Sequence, residues 1–253
     1  MKLYQTIGIA ATCGLVAVAG AIQSSSNAAE GEAVLGTVTG KVEFEGERPE
    51  PKKLQITEKQ AEGCCPPGES VKDDDQTLVI DKDGGLANVV ITVEIEGKKP
   101  EVPAEPVPID QIKCRFYPHV SVVPAGATVA YLNSDGVSHN IHTYSLKNEP
   151  LNNAVSGGNK LTQKLDKVEP VKVSCDYHPW MLSWIYVTDA PKFTVSGEDG
   201  TFKLEGLEPG EYELELWHEA LGKAQAKAVV AEDGSSEMVS IKMGEKKKGG
   251  RRR

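Results

Sequence analysis

Residues 173–184 read VSCDYHPWMLSW, and within them Cys175, His178 and Met181 fall at equal steps of three. A thiol, an imidazole and a thioether gathered this tightly are soft or borderline ligands, and the set points to a metal. VSCDYHPWM reads as the end of one strand, a tight loop and the start of the next. Val171, Val173 and Cys175 share one face of the first strand, so the thiol arrives pointing inward among apolar side chains. His178 and Met181 fold back over the same point from the loop.

A fourth ligand has to come from another strand. The stretch NSDGVSHNIHTY supplies it, because His139 stands just past a turn where the chain re-enters a sheet. Two imidazoles (His139 and His178), one thiolate (Cys175) and a weak axial thioether (Met181) form the donor set of a blue copper site, one mononuclear copper per chain. Structural zinc prefers several thiolates or a Cys2His2 set. A binuclear copper centre needs two bridging cysteines, and Cys175 has no neighbouring thiol. The other histidines stay outside this set. His142 lies three residues after His139 and so faces the opposite side of a strand. His119 opens a strand as a satisfied polar residue, and His218 shares a face with Leu214 and Leu216, where it makes a buried hydrogen bond. Singly, each chosen residue also has a plainer reading: a buried structural thiol, a gap-filling methionine, a turn-capping Asn140, a half-buried Trp180.

The elements that must hold these ligands are strands. TVTGKVEF places Val38, Val42 and Phe44 on one face, and NVVITVEI does the same with Val89, Ile91, Val93 and Ile95; a period of two means one buried side. HVSVV, TVAYLN, VKVSC, SWIYV, FTV, TFKLEG, YELELWH, KAVVA and MVSIKM continue the pattern, separated by turn signals such as PAG, SDG, EDG and EPG. The expectation is an all-β protein built as sandwiches. Three irregular stretches interrupt it: residues 47–75 with CCPPGES, a proline-rich linker at 98–108, and a long surface loop at 146–160.

Residues 1–28 carry Lys2, an apolar run from Ile7 to Ile22 and then small residues, which is the pattern of a secretory signal. Cys13 lacks the upstream Leu of a lipid-attachment site. No later stretch is long and apolar enough to cross a bilayer. An exported protein of the periplasm or cell envelope follows. The formal net charge is −9 although the tail KKKGGRRR holds six positive charges, so the body is strongly acidic. That excludes nucleic acid and steers toward basic partners; the tail, residues 245–253, reads as a solvated end. If Cys175 binds metal, Cys64 or Cys65 closes with Cys114 and one thiol is left over.

Two resemblances follow from these residues. SHNIH and CDYHPWM resemble the two ligand loops of the cupredoxins, the small blue copper proteins, and the short Cys-x2-His-x2-Met loop is most similar to amicyanin. FYPHVSVVPAGATVAYLNSD resembles the family's strands before the first ligand, so the likeness spans about residues 110–189. It implies a Greek-key β-sandwich in which His139 and His178 are the imidazole ligands, Cys175 the thiolate and Met181 the axial ligand. It also implies that Asn140 ties the ligand loops together, and that a redox partner such as a cytochrome docks on an apolar patch at His178, Pro179 and Trp180. TVSGEDGTFKLEGLEPGEYELELWHEALGK is similar to the transthyretin-like, carboxypeptidase-regulatory β-sandwich, and GTVTGKVEFEGERP resembles its first strand. That module would comprise residues 30–100 and 190–244, with the copper domain inserted between; three successive pieces are the alternative. The function expected is a one-electron carrier without catalytic residues. The competing reading is an envelope binding protein in which copper is stored or structural. Copper oxidases and nitrite reductases need further grouped histidines, and His119, His142 and His218 are scattered.

Overall fold

The computed structural model describes residues 34–244, so the expected signal and basic tail lie outside the described residues. Among the described residues the protein is all-β. In chain order the strands are β1 (Gly36–Glu45), β2 (Val90–Val93), β3 (Val107–Gln111), β4 (Phe116–Tyr117), β5 (Val120–Pro124), β6 (Ala127–Asn133), β7 (His139–Tyr144), β8 (Asn152–Val155), β9 (Lys160–Leu165), β10 (Glu169–Ser174) and β11 (Leu182–Thr188). β12 (Lys192–Val195), β13 (Thr201–Leu207), β14 (Gly210–His218), β15 (Gly222–Val230) and β16 (Val239–Gly244) complete the set. No helix among the described residues is long and apolar enough to cross a membrane.

Strands β3–β11 form two facing sheets, ordered β5-β11-β10-β7-β8 and β4-β3-β6-β9. Alternation decides which side chains lie between them: Val171, Val173 and Ile185 from one sheet meet Ile109, Val129, Tyr131 and Leu165 from the other. The remaining strands make two further sheets, β13-β1-β16 and β12-β2-β14-β15. Val38, Val42, Ile91, Leu204, Leu214, Leu216 and Ile241 fill the space between these. Chain segments on either side of residues 94–191 therefore share sheets: β1 pairs antiparallel with β13 and parallel with β16, and β2 lies between β12 and β14.

The two sandwiches meet through an aromatic seam. Trp184 and Tyr186 of β11 pack with Val120 against Trp217 and Val90, with ring centroids 5.4 Å and 5.3 Å from that of Trp217. Beside them Glu219 accepts from Trp184 Nε1 at 2.7 Å and bonds His119 Nε2, while His119 Nδ1 lies 3.1 Å from the Leu182 carbonyl. Buried carboxylate and imidazole satisfy each other here.

The strands differ from the expectation at β3, β4, β8 and β9. β8 lies inside the stretch read as a loop; it is an edge strand with three exposed residues and so leaves no apolar alternation. β9 was hidden because one of its inward positions is Gln163, which accepts the Tyr131 hydroxyl at 2.8 Å and donates to the Glu149 carbonyl at 2.7 Å. β3 begins inside the proline-rich stretch, at Val107, and pairs in parallel with β6, while the two-residue β4 pairs with β3. Of the two cysteine pairings, Cys64 with Cys114 is the one formed, leaving Cys65 and Cys175 free.

Candidate metal centre

His139 opens β7, Cys175 follows β10, and His178 and Met181 lie in the turn that leads into β11. β7 and β10 are paired neighbours, with His142 opposite Ser174, so the start of one and the end of the other lie at the same end of the sandwich. The turn is tight: the Met181 N–H donates to the His178 carbonyl at 2.9 Å, and the Cys175 N–H reaches the Met181 carbonyl at 3.4 Å.

The three strongest donors converge. His139 Nδ1 and His178 Nδ1 are 2.9 Å apart, and Cys175 Sγ is 3.9 Å from the first and 3.7 Å from the second. Their donor atoms lie within 4.8 Å of one another, and all three residues are buried. Met181 is buried in the same core cluster as Cys175. The sequence-selected residues are thus brought to one end of one sandwich, 36 residues separating His139 from Cys175 in the chain.

Neighbouring groups tune the donors. Burial would raise the Cys175 thiol, but hydrogen bonds from His139, His178 and the Asn140 N–H outweigh it and bring the pKa down to about 6. The Asn140 N–H lies 3.4 Å from Sγ. Burial depresses His139, yet Asp135 and Cys175 more than offset that and leave it raised. Asp135 Oδ2 holds His139 Nε2 at 2.8 Å, turning Nδ1 toward the cluster. The same carboxylate accepts the Cys114 N–H at 2.8 Å. Asn140 clasps the other loop: its side chain accepts the Asp176 N–H at 2.5 Å and donates to Asn152 at 2.7 Å and to Asp176 at 2.9 Å.

The residues left out of the set behave differently. His142 is part-exposed, stacked on Tyr144 with centroids 4.3 Å apart and bonded to Asp176 at 3.0 Å. His218 is buried, and its Nδ1 accepts the Ala220 N–H at 3.2 Å, but its Nε2 has no partner.

Sequence reasoning missed two features. Asp135 belongs to an SDG turn, and nothing in that motif marks it as an imidazole partner. The second is the segment that covers the centre. Pro179 is exposed, but His178 retains only 8% of its surface and Trp180 is half-buried, its Nε1 donating to the Cys114 carbonyl at 3.0 Å. The apolar patch expected at these three residues is narrowed accordingly, because Cys64, Val71, Ile56, Ala61 and Cys65 pack into the same cluster as Trp180.

Two imidazole nitrogens and a thiol poised near neutrality form a donor set for one thiophilic transition-metal ion.

No family model and no curated protein matches this chain. Solved structures do. A purple cupredoxin from Nitrosopumilus maritimus is 21% identical over 32% of this chain and 99% of its own, with a TM-score of 0.29. Amicyanin from Paracoccus versutus is 21% identical over 39% of this chain and 97% of its own, with a TM-score of 0.30. A copper-containing nitrite reductase from Thermus scotoductus is 23% identical, with a TM-score of 0.32; 39% of this chain is covered and a quarter of the reductase's length. What the coordinates establish is an all-β protein with a buried cluster of two imidazoles and one thiol at one end of a two-sheet sandwich.

Proposed function

We propose that the chain is an exported blue copper protein that carries single electrons between redox partners. One observation carries this reading: His139 Nδ1, His178 Nδ1 and Cys175 Sγ converge, and the thiol is acidified to about 6 by the groups around it. Copper bound there would supply a one-electron redox change. Cys175 would donate the thiolate, His139 and His178 the imidazoles, and Met181 the thioether. Asp135 fixes the His139 tautomer and ring orientation, and the Asn140 N–H directed at Sγ steadies the charge on sulfur. Strands β7 and β10 hold the donors rigidly, which keeps reorganisation small when the charge changes.

Residues 107–188 act as the copper domain in this reading, and the flanking strands form a transthyretin-like carrier that would hold it at the envelope. The Cys64–Cys114 disulfide supports an oxidising compartment. A partner would dock over Pro179 and the remaining edge of His178. A second reading, copper storage, is favoured by the burial of the donors. Copper(II) added to the purified chain separates the two. Electron transfer requires an intense thiolate-to-copper band in the visible and reversible reduction by a small donor; a colourless complex that releases copper on reduction would overturn it in favour of storage.

A further inference from the structure

Residues 47–75 contain no regular strand, only an isolated bridge between Lys53 and Asp74, yet they are firmly seated over the metal centre. Arg115, itself buried, donates to the Lys72 carbonyl at 2.7 Å and the Asp74 carbonyl at 2.8 Å. Gly63 has φ +78°, and a Cβ there would meet Val137 at 2.7 Å, so the strap runs directly against the loop preceding His139. Cys64 and Cys114 are buried, and their sulfurs lie within 4.8 Å of a His178 ring nitrogen. Cys114 Sγ is likewise within 4.8 Å of donor atoms of Asp135 and His139. The imidazoles are therefore lined on one side by Cys175 and on another by a disulfide.

We propose that reducing this disulfide creates a second, soft-metal site made of the Cys64 and Cys114 thiolates and His178. In the oxidised chain the two sulfurs are bonded to each other and offer no thiolate. A dithiol reductant transfers two electrons and two protons: its own S–S bond forms, the Cys64–Cys114 bond breaks, and both sulfurs become thiols. Binding a copper(I)-like cation then displaces the thiol protons to solvent. Two sulfur anions and one imidazole suit a monovalent d10 ion. His139, Cys175 and Met181 are at most 1% exposed and Cys64 and Cys114 at most 2%, whereas His178, the residue common to both sites, keeps 8%. The second site does not rest on the copper reading above.

The test uses the full chain carrying Cys65→Ser and Cys175→Ser, which leaves Cys64 and Cys114 as the thiol pair of the described residues. Copper(I) affinity is measured anaerobically against a colorimetric chelator, before and after reduction with a phosphine, with near-ultraviolet circular dichroism confirming the fold. Reduction should add one equivalent bound about a hundredfold more tightly. Adding Cys64→Ser should abolish the gain, and His178→Asn should cost at least about tenfold, since even a residue supporting a ligand is worth that much. Equal affinity before and after reduction, or a gain indifferent to His178→Asn, overturns the proposal. The blue band of the unaltered chain is scored separately: colour without the gain removes only the second site, and the gain without colour removes only the electron-carrier reading.

Discussion

Acidification should weaken this protein through one buried histidine at the end of β14. His218 is 1% exposed and its Nε2 has no hydrogen-bond partner. Burial lowers its pKa to about 4, with His119 nearby adding to the effect and the Ala87 carbonyl opposing it only weakly. In the unfolded chain the same ring titrates near 6.5. Between these values the unfolded state binds the proton and the folded state refuses it, so stability is complete above about pH 6.5 and falls as the pH drops toward 4. A gap of roughly 2.5 units at 1.36 kcal/mol each gives about 3 kcal/mol as the largest loss. Urea denaturation of metal-free protein at pH 7.0, 5.5 and 4.5, beside His218→Gln, isolates the contribution. Gln preserves an acceptor for the Ala220 N–H and cannot be protonated. The wild-type curve should lose about 2–3 kcal/mol more than the variant across that range. Parallel curves would mean that His218 takes up its proton in the folded state, and the reasoning would fail.

Replacing Cys175 by Ser should abolish the visible band of the copper-loaded protein, whereas Met181→Leu should keep a shifted band; optical and electron-spin spectra check both. Glu169 is buried, and despite that burial the N–H groups of Leu146, Lys147 and Asn148 hold its carboxylate below the usual range. Its contribution is present above the unfolded pKa of about 4.3 and is lost as the pH falls through the lower folded value. Glu169→Gln should therefore cost about 1–3 kcal/mol at pH 7 by denaturant unfolding, and less at pH 3. A Cβ at Gly85 would fall 1.9 Å from the Asp199 carbonyl, so Gly85→Ala should lower the thermal midpoint through a loss of about 1–3 kcal/mol.

Alternation made most strands legible, because β1, β10, β13 and β14 place apolar side chains at every second position on a half-buried surface. It could not reveal β9, where buried Gln163 stands at an inward position and is satisfied only by Tyr131 and Glu149, far off in sequence. The donor cluster was legible because three of its members are local and His139 stands at a strand start. Asp135 was not, since its hold on His139 depends on how the turn bends. The link of the strap to Cys114 was one of the two pairings expected, but its place over His178 was not legible: CCPPGES has no periodicity, and the disulfide together with Arg115 sets its path. Residue type and spacing announce candidate donors; what shields them depends on contacts between distant segments.

Val93 on β2 and Lys192 on β12 are cross-strand partners. Two such positions sit about 5 Å apart, a gap that a two-residue hairpin turn bridges. The whole intervening stretch thus leaves and rejoins its neighbour through one narrow doorway. For a chain leaving the ribosome this imposes an order of events: β1 must wait for β13 and β16, more than 150 residues downstream, and an unclosed loop of that length carries an entropic penalty. If the intervening sandwich forms first, it draws Val93 and Lys192 together and takes residues 94–191 out of that loop. In that order of events the donor-bearing half would serve as the jig on which the other half is assembled.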